Sequence, residues 1–286
     1  MLKPLKRLAD IGELVKFSHS IFALPFALSS AWVASGGFPP IRTLIWLLIA
    51  MVSARTSAMA FNRILDADID AKNPRTAGRH IPQGLLSRRF VGLLTLASAA
   101  VFILAAGMLN RFCLLLSPLA LAILFFYSFT KRFTHWSHLF LGLALGMSAP
   151  AAWIAVSGGL QATPLVLGLA VLLWVAGFDI IYATQDAEFD QQEGLHSLVV
   201  RLGVAKSLQI ARLFHGVTVG LLILFGTMAG LGLLYTLALV LVSLLLIYEH
   251  SLVKANNLSR VNAAFFNVNG LISLLFLAGV VLDVSL

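Results

Sequence analysis

Charge is scarce in this chain. Only 11% of its 286 residues are Asp, Glu, Lys or Arg, while 59% are hydrophobic. That is too little charge to solvate a globular surface of this size, so a water-soluble fold is excluded. Cysteine is nearly absent: Cys113 stands alone in an apolar run. No disulfide can therefore form within the chain, and the thiol reads as a small buried hydrophobe. Two long stretches, 133–178 and 213–248, contain no charged residue at all. Strict apolar/polar alternation is missing as well, which excludes a membrane β-barrel. No cleaved signal peptide is recognisable at the start. Lys3, Lys6, Arg7, Asp10, Glu13 and Lys16 read instead as a charged interfacial helix.

Long apolar runs are what the chain has in their place. They predict an all-α polytopic membrane protein, one transmembrane domain over 1–286, with about nine helices in a bundle. Gly36-Gly37 with Pro39-Pro40, Ser157-Gly158-Gly159 and Gly230-Leu231-Gly232 supply breaks between spans. The expected spans are about 17–34, 43–62, 90–108, 112–129, 136–156 and 164–182. Two short spans follow within 213–248, and a last one at about 261–282. The net charge is +8, yet no nucleic-acid partner is expected, because the positive-inside rule accounts for it. Seventeen Lys and Arg fall on one side of the predicted membrane, against Arg42 and Arg111 on the other and Arg55 within the second span. That asymmetry predicts a multi-pass protein of the cell inner (plasma) membrane with its N-terminus in the cytoplasm.

Two acidic clusters interrupt this composition. Asn62, Asp66 and Asp70 are spaced i, i+4, i+8, and on a helix each such step drifts only about 40°, so all three share one face. Asp186 and Asp190 repeat the spacing, and each lies 120 residues after its counterpart, so the chain reads as two pseudo-repeated halves. Both clusters fall at the cytoplasmic ends of even-numbered spans, beside cytoplasmic cap loops, where they can face each other. Like charges at this spacing repel. Divalent metal ions or arginines must offset them.

Acids at a membrane interface are costly and mark a functional site by default. Paired aspartates offer hard oxygen ligands suited to Mg²⁺, which usually shares its shell with phosphate oxygens. Arg75 and Arg79, and Lys131 with Arg132 after the fourth span, are natural phosphate partners. Acids and bases at one membrane face, beside apolar spans, point to an enzyme acting on a lipid diphosphate.

The motifs now resemble a known family. N-x-x-x-D-x-x-x-D followed by R-T-x-x-R is Asn62, Asp66, Asp70, Arg75, Thr76 and Arg79. D-x-x-Y-A-x-Q-D-x-x-x-D is Asp179, Tyr182, Ala183, Gln185, Asp186 and Asp190, and Y-x-x-x-K-R is Tyr127, Lys131 and Arg132. Across essentially the whole chain the sequence is similar to the UbiA superfamily of intramembrane aromatic prenyltransferases. Within it the chain looks most like 4-hydroxybenzoate polyprenyltransferases. Arg63 departs from the acid common at the second position of the first motif.

The resemblance implies Mg²⁺-dependent transfer of a polyprenyl group from polyprenyl diphosphate to an aromatic acid such as 4-hydroxybenzoate, in ubiquinone or menaquinone biosynthesis. It implies Asp66, Asp70, Asp186 and Asp190 as metal-binding catalytic residues. Asn62, Arg75, Arg79, Tyr127, Lys131, Arg132, Asp179, Tyr182 and Gln185 are the implied substrate-binding residues. Lys16-Phe17-Ser18-His19-Ser20 and Glu193-Gly194-Leu195-His196-Ser197 resemble a branch that includes enzymes prenylating 1,4-dihydroxy-6-naphthoate, so that acceptor is an alternative.

Plainer readings stand beside these. The four basic residues also suit positive-inside anchors, and Tyr127 and Tyr182 suit an interfacial belt. Asp68 and Glu188 fall off the motif faces and read as solvated. Arg55 reads as buried with a partner or ligand, and Lys16 and Arg132 are candidates for the acceptor's carboxylate. Asn262, Asn267 and Asn269 suit bonds between helices. A transporter with an intramembrane acidic ion site is the rival class.

Overall fold

The computed structural model describes residues 12–14 and 22–286. The interfacial helix, the start of the first span, Lys16 and His19 lie outside the described residues, Glu13 excepted. The described chain is predominantly helical, without a β-strand. Hydrocarbon offers no water to unpaired backbone groups, so spans that close their hydrogen bonds internally are the available solution. The helices are α1 (Leu24–Ser35), α2 (Ile41–Leu65), α3 (Ala67–Lys72), α4 (Arg88–Leu109), α5 (Arg111–Thr130) and α6 (Ser137–Gly146). They continue as α7 (Ser148–Ser157), α8 (Ala162–Ala183), α9 (Ala187–Gln192), α10 (Leu198–Met228), α11 (Leu233–Leu252) and α12 (Asn269–Ser285). A 3-10 turn, Thr184–Asp186, links α8 to α9, and a π-turn, Ala263–Val268, leads into α12.

Among the described residues, eight helical segments are long and apolar enough to cross a membrane, and α1 is a shorter apolar helix. The breaks fall where glycine permits them. Gly36 and Gly158 close α1 and α7 in the left-handed region, at φ 60° and 75°. Ser87 and Ser197 cap α4 and α10 by accepting from the backbone N–H of Phe90 and Val200. The seventh span is not short as expected. α10 runs 31 residues because Leu198 to Arg212, read as loop from its charges, is helical with a kink at Gly203, φ 77°.

The described residues form two compact units. The first holds 12–14 and 45–128. Its sealed core is small, centred on Leu14, Ala60 and Val91. The Ser57 hydroxyl donates to the Thr95 carbonyl at 3.0 Å, tying α2 to α4, and Phe61 packs on Phe125 of α5. Leu93, Leu96, Leu104 and Leu115 remain largely exposed, as side chains facing lipid do.

The second unit holds 22–44 and 129–286. Phe22, Phe26, Trp174, Phe178, Phe225 and Phe276 build a dense aromatic core. Its helices approach closely at glycines. A Cβ on Gly142 or Gly146 of α6 would collide with the carbonyl oxygens of Leu172 or Gly168 on α8. This small-x-x-x-small stripe is how backbones come together inside a membrane. A buried polar chain crosses the same unit. Trp174 Nε1 donates to Asn269 Oδ1 at 2.8 Å, and Asn269 Nδ2 to Glu249 Oε1 at 2.7 Å. His215 and His250 meet at 2.9 Å beside them. Asn269 thus makes the interhelical bonds expected of it.

Candidate active site

In the first unit the motif sits on a helix break. α2 ends at Leu65, Asp66 turns the chain at φ −92°, ψ 2°, and α3 starts at Ala67. The i→i−4 ladder still runs through the break: Asp66 N–H donates to Asn62 O at 2.9 Å, and Asp70 N–H to Asp66 O at 2.7 Å. The shared face therefore persists across the break. Asn62 Nδ2 donates to Asp66 Oδ2 at 2.8 Å and so orients that carboxylate.

Asp70 is buried, and Arg79 Nη1 contacts both of its oxygens at 2.6 and 2.7 Å. Arg79 is thus a cation that offsets the charge of Asp70. It reaches Asp70 through a turn that the motif folds for itself. Thr76 Oγ1 donates to the Asp70 carbonyl at 3.1 Å, and the Arg75 N–H to Asn73 Oδ1 at 2.9 Å. The Arg75 side chain is exposed. Asp68 is exposed too and pairs with Arg88. Arg63 is buried and donates through Nε to the Leu14 carbonyl at 3.3 Å. Tyr127 lies half-buried in the last turn of α5.

In the second unit the same construction recurs. α8 ends at Ala183, Asp186 turns the chain at φ −105°, ψ 5°, and α9 begins at Ala187. Asp186 and Asp190 are both buried, and Glu188 is exposed. Tyr182 packs on Phe265 with centroids 4.2 Å apart. Gln185 Nε2 donates to the Tyr182 carbonyl at 3.3 Å. Lys131 and Arg132 are half-buried in the turn after α5. The Lys131 carbonyl accepts from His196 N–H at 2.8 Å, and His135 Nδ1 lies 3.2 Å from the Ser197 carbonyl. The Gly-Leu-His-Ser stretch therefore fastens the basic turn to the segment leaving the second motif.

Asp179 makes a contact that the sequence did not suggest: its Oδ2 lies 2.6 Å from Nδ1 of His138 on α6. A lone histidine opening an apolar span carries no sequence signal for that role.

Each unit thus sets buried carboxylate at a break beyond an apolar span, Asp70 in the first and Asp186 with Asp190 in the second, among helices long and apolar enough to cross a membrane. The chain belongs to the UbiA prenyltransferase family, whose model matches residues 23–271, and it is a multi-pass membrane prenyltransferase. It is 30% identical to a 4-hydroxybenzoate octaprenyltransferase of Alkalilimnicola ehrlichii over 89% of this chain and 86% of that one. A protein of the same description from Sodalis glossinidius is also 30% identical, over 96% of this chain and 91% of the other. The apo structure of a UbiA homolog from Aeropyrum pernix superposes with a TM-score of 0.84 at 36% identity, covering 93% of this chain and 98% of that chain. A UbiA homolog from Archaeoglobus fulgidus, bound to DMAPP and Mg²⁺, shares the fold at a TM-score of 0.76 and 20% identity, over 96% and 99% of the two chains.

Proposed function

We propose that this enzyme transfers a polyprenyl group from polyprenyl diphosphate to 4-hydroxybenzoate, in quinone biosynthesis, with residues 1–286 acting as one catalytic domain. The observation that carries the reading is the repeated carboxylate construction, Asp66 with Asp70 and Asp186 with Asp190, each pair opening a short helix at a span's end. The two octaprenyltransferase relatives support the acceptor.

The donor set fits Mg²⁺. Its ligands would be the hard oxygens of Asp66, Asp70, Asp186 and Asp190. Among the described residues no three His, Cys, Asp or Glu side chains converge on one point. An Mg²⁺ ion held there would complete its shell with diphosphate oxygens and water. When bound, Mg²⁺ supplies positive charge that stabilises the departing diphosphate.

The chain's own groups do the rest. Asn62 holds Asp66 in orientation. Arg79, freed from Asp70 when substrate arrives, joins Arg75, Lys131 and Arg132 on the phosphate oxygens. Tyr127, Tyr182 and Gln185 line the same substrate. Apolar spans keep water from the allylic carbon as its C–O bond breaks. The ring carbon ortho to the phenolic oxygen forms the new C–C bond, and the ring proton passes to an aspartate of the site or to the departed diphosphate. The lysine and arginine asymmetry supports an inner-membrane protein with its N-terminus and both motifs on the cytoplasmic side.

The test is a radiolabelled prenyl diphosphate assay on membranes with an acceptor panel containing 4-hydroxybenzoate and 1,4-dihydroxy-6-naphthoate. Lipid-soluble product with 4-hydroxybenzoate is expected. Product with the naphthoate alone would reassign the acceptor, and no product with any aromatic acceptor would overturn the reading.

A further inference from the structure

His138 is fully buried, and its Nδ1 lies 2.6 Å from Asp179 Oδ2, while the Asp179 side chain keeps 16% of its surface open. The other ring nitrogen, Nε2, is buried and has no hydrogen-bond partner. With Asp179 ionised, Nδ1 must carry the hydrogen and donate it. Nε2 is then an acceptor left dry, an arrangement that costs stability rather than adding it. A leucine in its place would remove that orphan but leave Asp179 Oδ2 without this partner. The fold nevertheless takes trouble to make the contact. Gly142 and Gly146, one and two turns along α6 from His138, bring that helix against the α8 backbone at Leu172 and Gly168. The antiparallel register that results sets His138 opposite Asp179.

Asp179, Tyr182 and Asp186 are spaced i, i+3, i+7 and share one stripe of α8 and its continuation. Seven residues of helix put Asp179 about 10 Å from Asp186 along the axis, toward the middle of the span. Oxygen ligands of Mg²⁺ lie about 2 Å from the ion, so Asp179, with one oxygen engaged by His138, is poorly placed to share a metal ion with Asp186. A diphosphate would also be repelled by it. What suits a carboxylate at that depth, with one oxygen engaged by an imidazole and the side chain still partly open, is a neutral hydrogen-bond donor.

We propose that His138 is a positioning residue that aims Asp179 at the acceptor, whose phenolic O–H donates to the free oxygen Oδ1. This rests on the prenyl-transfer reading above. The contact makes the ring more electron-rich at the carbon that reacts. It also sets the acceptor's polarity, because the acceptor's own carboxylate is repelled from Asp179 and turns away. The site thereby favours phenols with the acid remote from the hydroxyl.

The test uses the full-length protein in nanodiscs with His138→Phe, which keeps bulk and removes the donor, and His138→Asn, which keeps an N–H near the Nδ1 position. Rates are measured against 4-hydroxybenzoate at saturating prenyl diphosphate, and the reverse. Losing an aligned hydrogen bond to a charged group predicts a rise in acceptor KM of roughly tenfold or more in His138→Phe. The prenyl diphosphate KM should stay within about twofold, and His138→Asn should recover most of the loss. Should His138→Phe fail to fold, Asp179→Asn carries the test, with the same rise confined to the acceptor. A rise in prenyl diphosphate KM instead, normal acceptor kinetics in folded His138→Phe, or His138→Asn as poor as His138→Phe would each overturn the assignment. The wild-type assay separates the two levels. If it uses a different phenol, the acceptor named above falls and the variants are read on that phenol. If it prenylates nothing, both fall.

Discussion

In the first motif Asp66 turns the chain at φ −92°, ψ 2°, and Asp70 follows inside a six-residue helix. In the second, Asp186 turns it at φ −105°, ψ 5°, and Asp190 follows at the same interval inside another six-residue helix. The backbones are near copies, but the charges around them are not. Nine residues beyond Asp70 stands Arg79, which covers both oxygens of that carboxylate. Nine residues beyond Asp190 stands Val199, and where the first motif has Arg75, 120 residues earlier, the second has Leu195. The two motifs share their acid geometry and differ in the basic residues that follow them in sequence. The first half carries a resident cation, while Lys131 and Arg132 of the second unit come from a separate turn, fastened by the His196 N–H to the Lys131 carbonyl.

This contrast can be broken at several levels. Metal removal has the largest expected effect. EDTA should abolish turnover, by roughly a thousandfold or more, as expected where the ion supplies several kcal/mol of charge stabilisation. Excess Mg²⁺ should restore it, and appreciable turnover in EDTA would show that the basic residues suffice. Next comes Arg79→Ala, which uncovers Asp70 and removes a phosphate partner. A loss of roughly 10- to 100-fold in kcat/KM for the prenyl diphosphate is expected. Arg79→Lys should recover only part of it, because a point charge cannot reproduce the guanidinium geometry.

Packing differs between the units as charge does. Gly142→Ala should destabilise the second unit by about 1–3 kcal/mol, because its Cβ would meet a backbone carbonyl. Gly92→Ala in the first unit has only the Ile64 side chain at 3.9 Å, so it should be neutral or slightly stabilising, by about 1 kcal/mol at most. Thermal unfolding of both in one detergent checks the pair. Smallest of all is Asp68→Asn. Asp68 is exposed and pairs with Arg88 away from the motif face, so activity should stay within about twofold of wild type. A large loss there would contradict the face argument.

Helical spacing made much of this legible. Asp68 and Glu188 were readable as off-face because a four-residue period leaves them there, and both are exposed. The Gly36 and Gly158 stops were marked by composition. What was illegible depends on distant partners. His138 lies in a charge-free run and meets an acid 41 residues away. Arg63 looked like a simple departure from the family pattern, and its bond goes to a backbone carbonyl, Leu14 O, which has no residue signature. α10 was expected to start late because charges at Arg201, Lys206 and Arg212 resemble a loop. A helix can extend beyond the hydrocarbon with its charged face in water, so charge marks the membrane edge rather than the helix end.

The claim that both motifs serve one ionisation step is tested most directly by a double-mutant cycle of Asp66→Asn and Asp186→Asn. Turnover is measured on folded, purified protein with Mg²⁺ in excess. Groups acting as a unit are strongly non-additive. Each single variant should lose activity by roughly a hundredfold or more, as for the removal of a group that stabilises transition-state charge. The double variant should be little worse than the poorer single. If the two losses instead multiply, the motifs act independently and the single-step claim is contradicted.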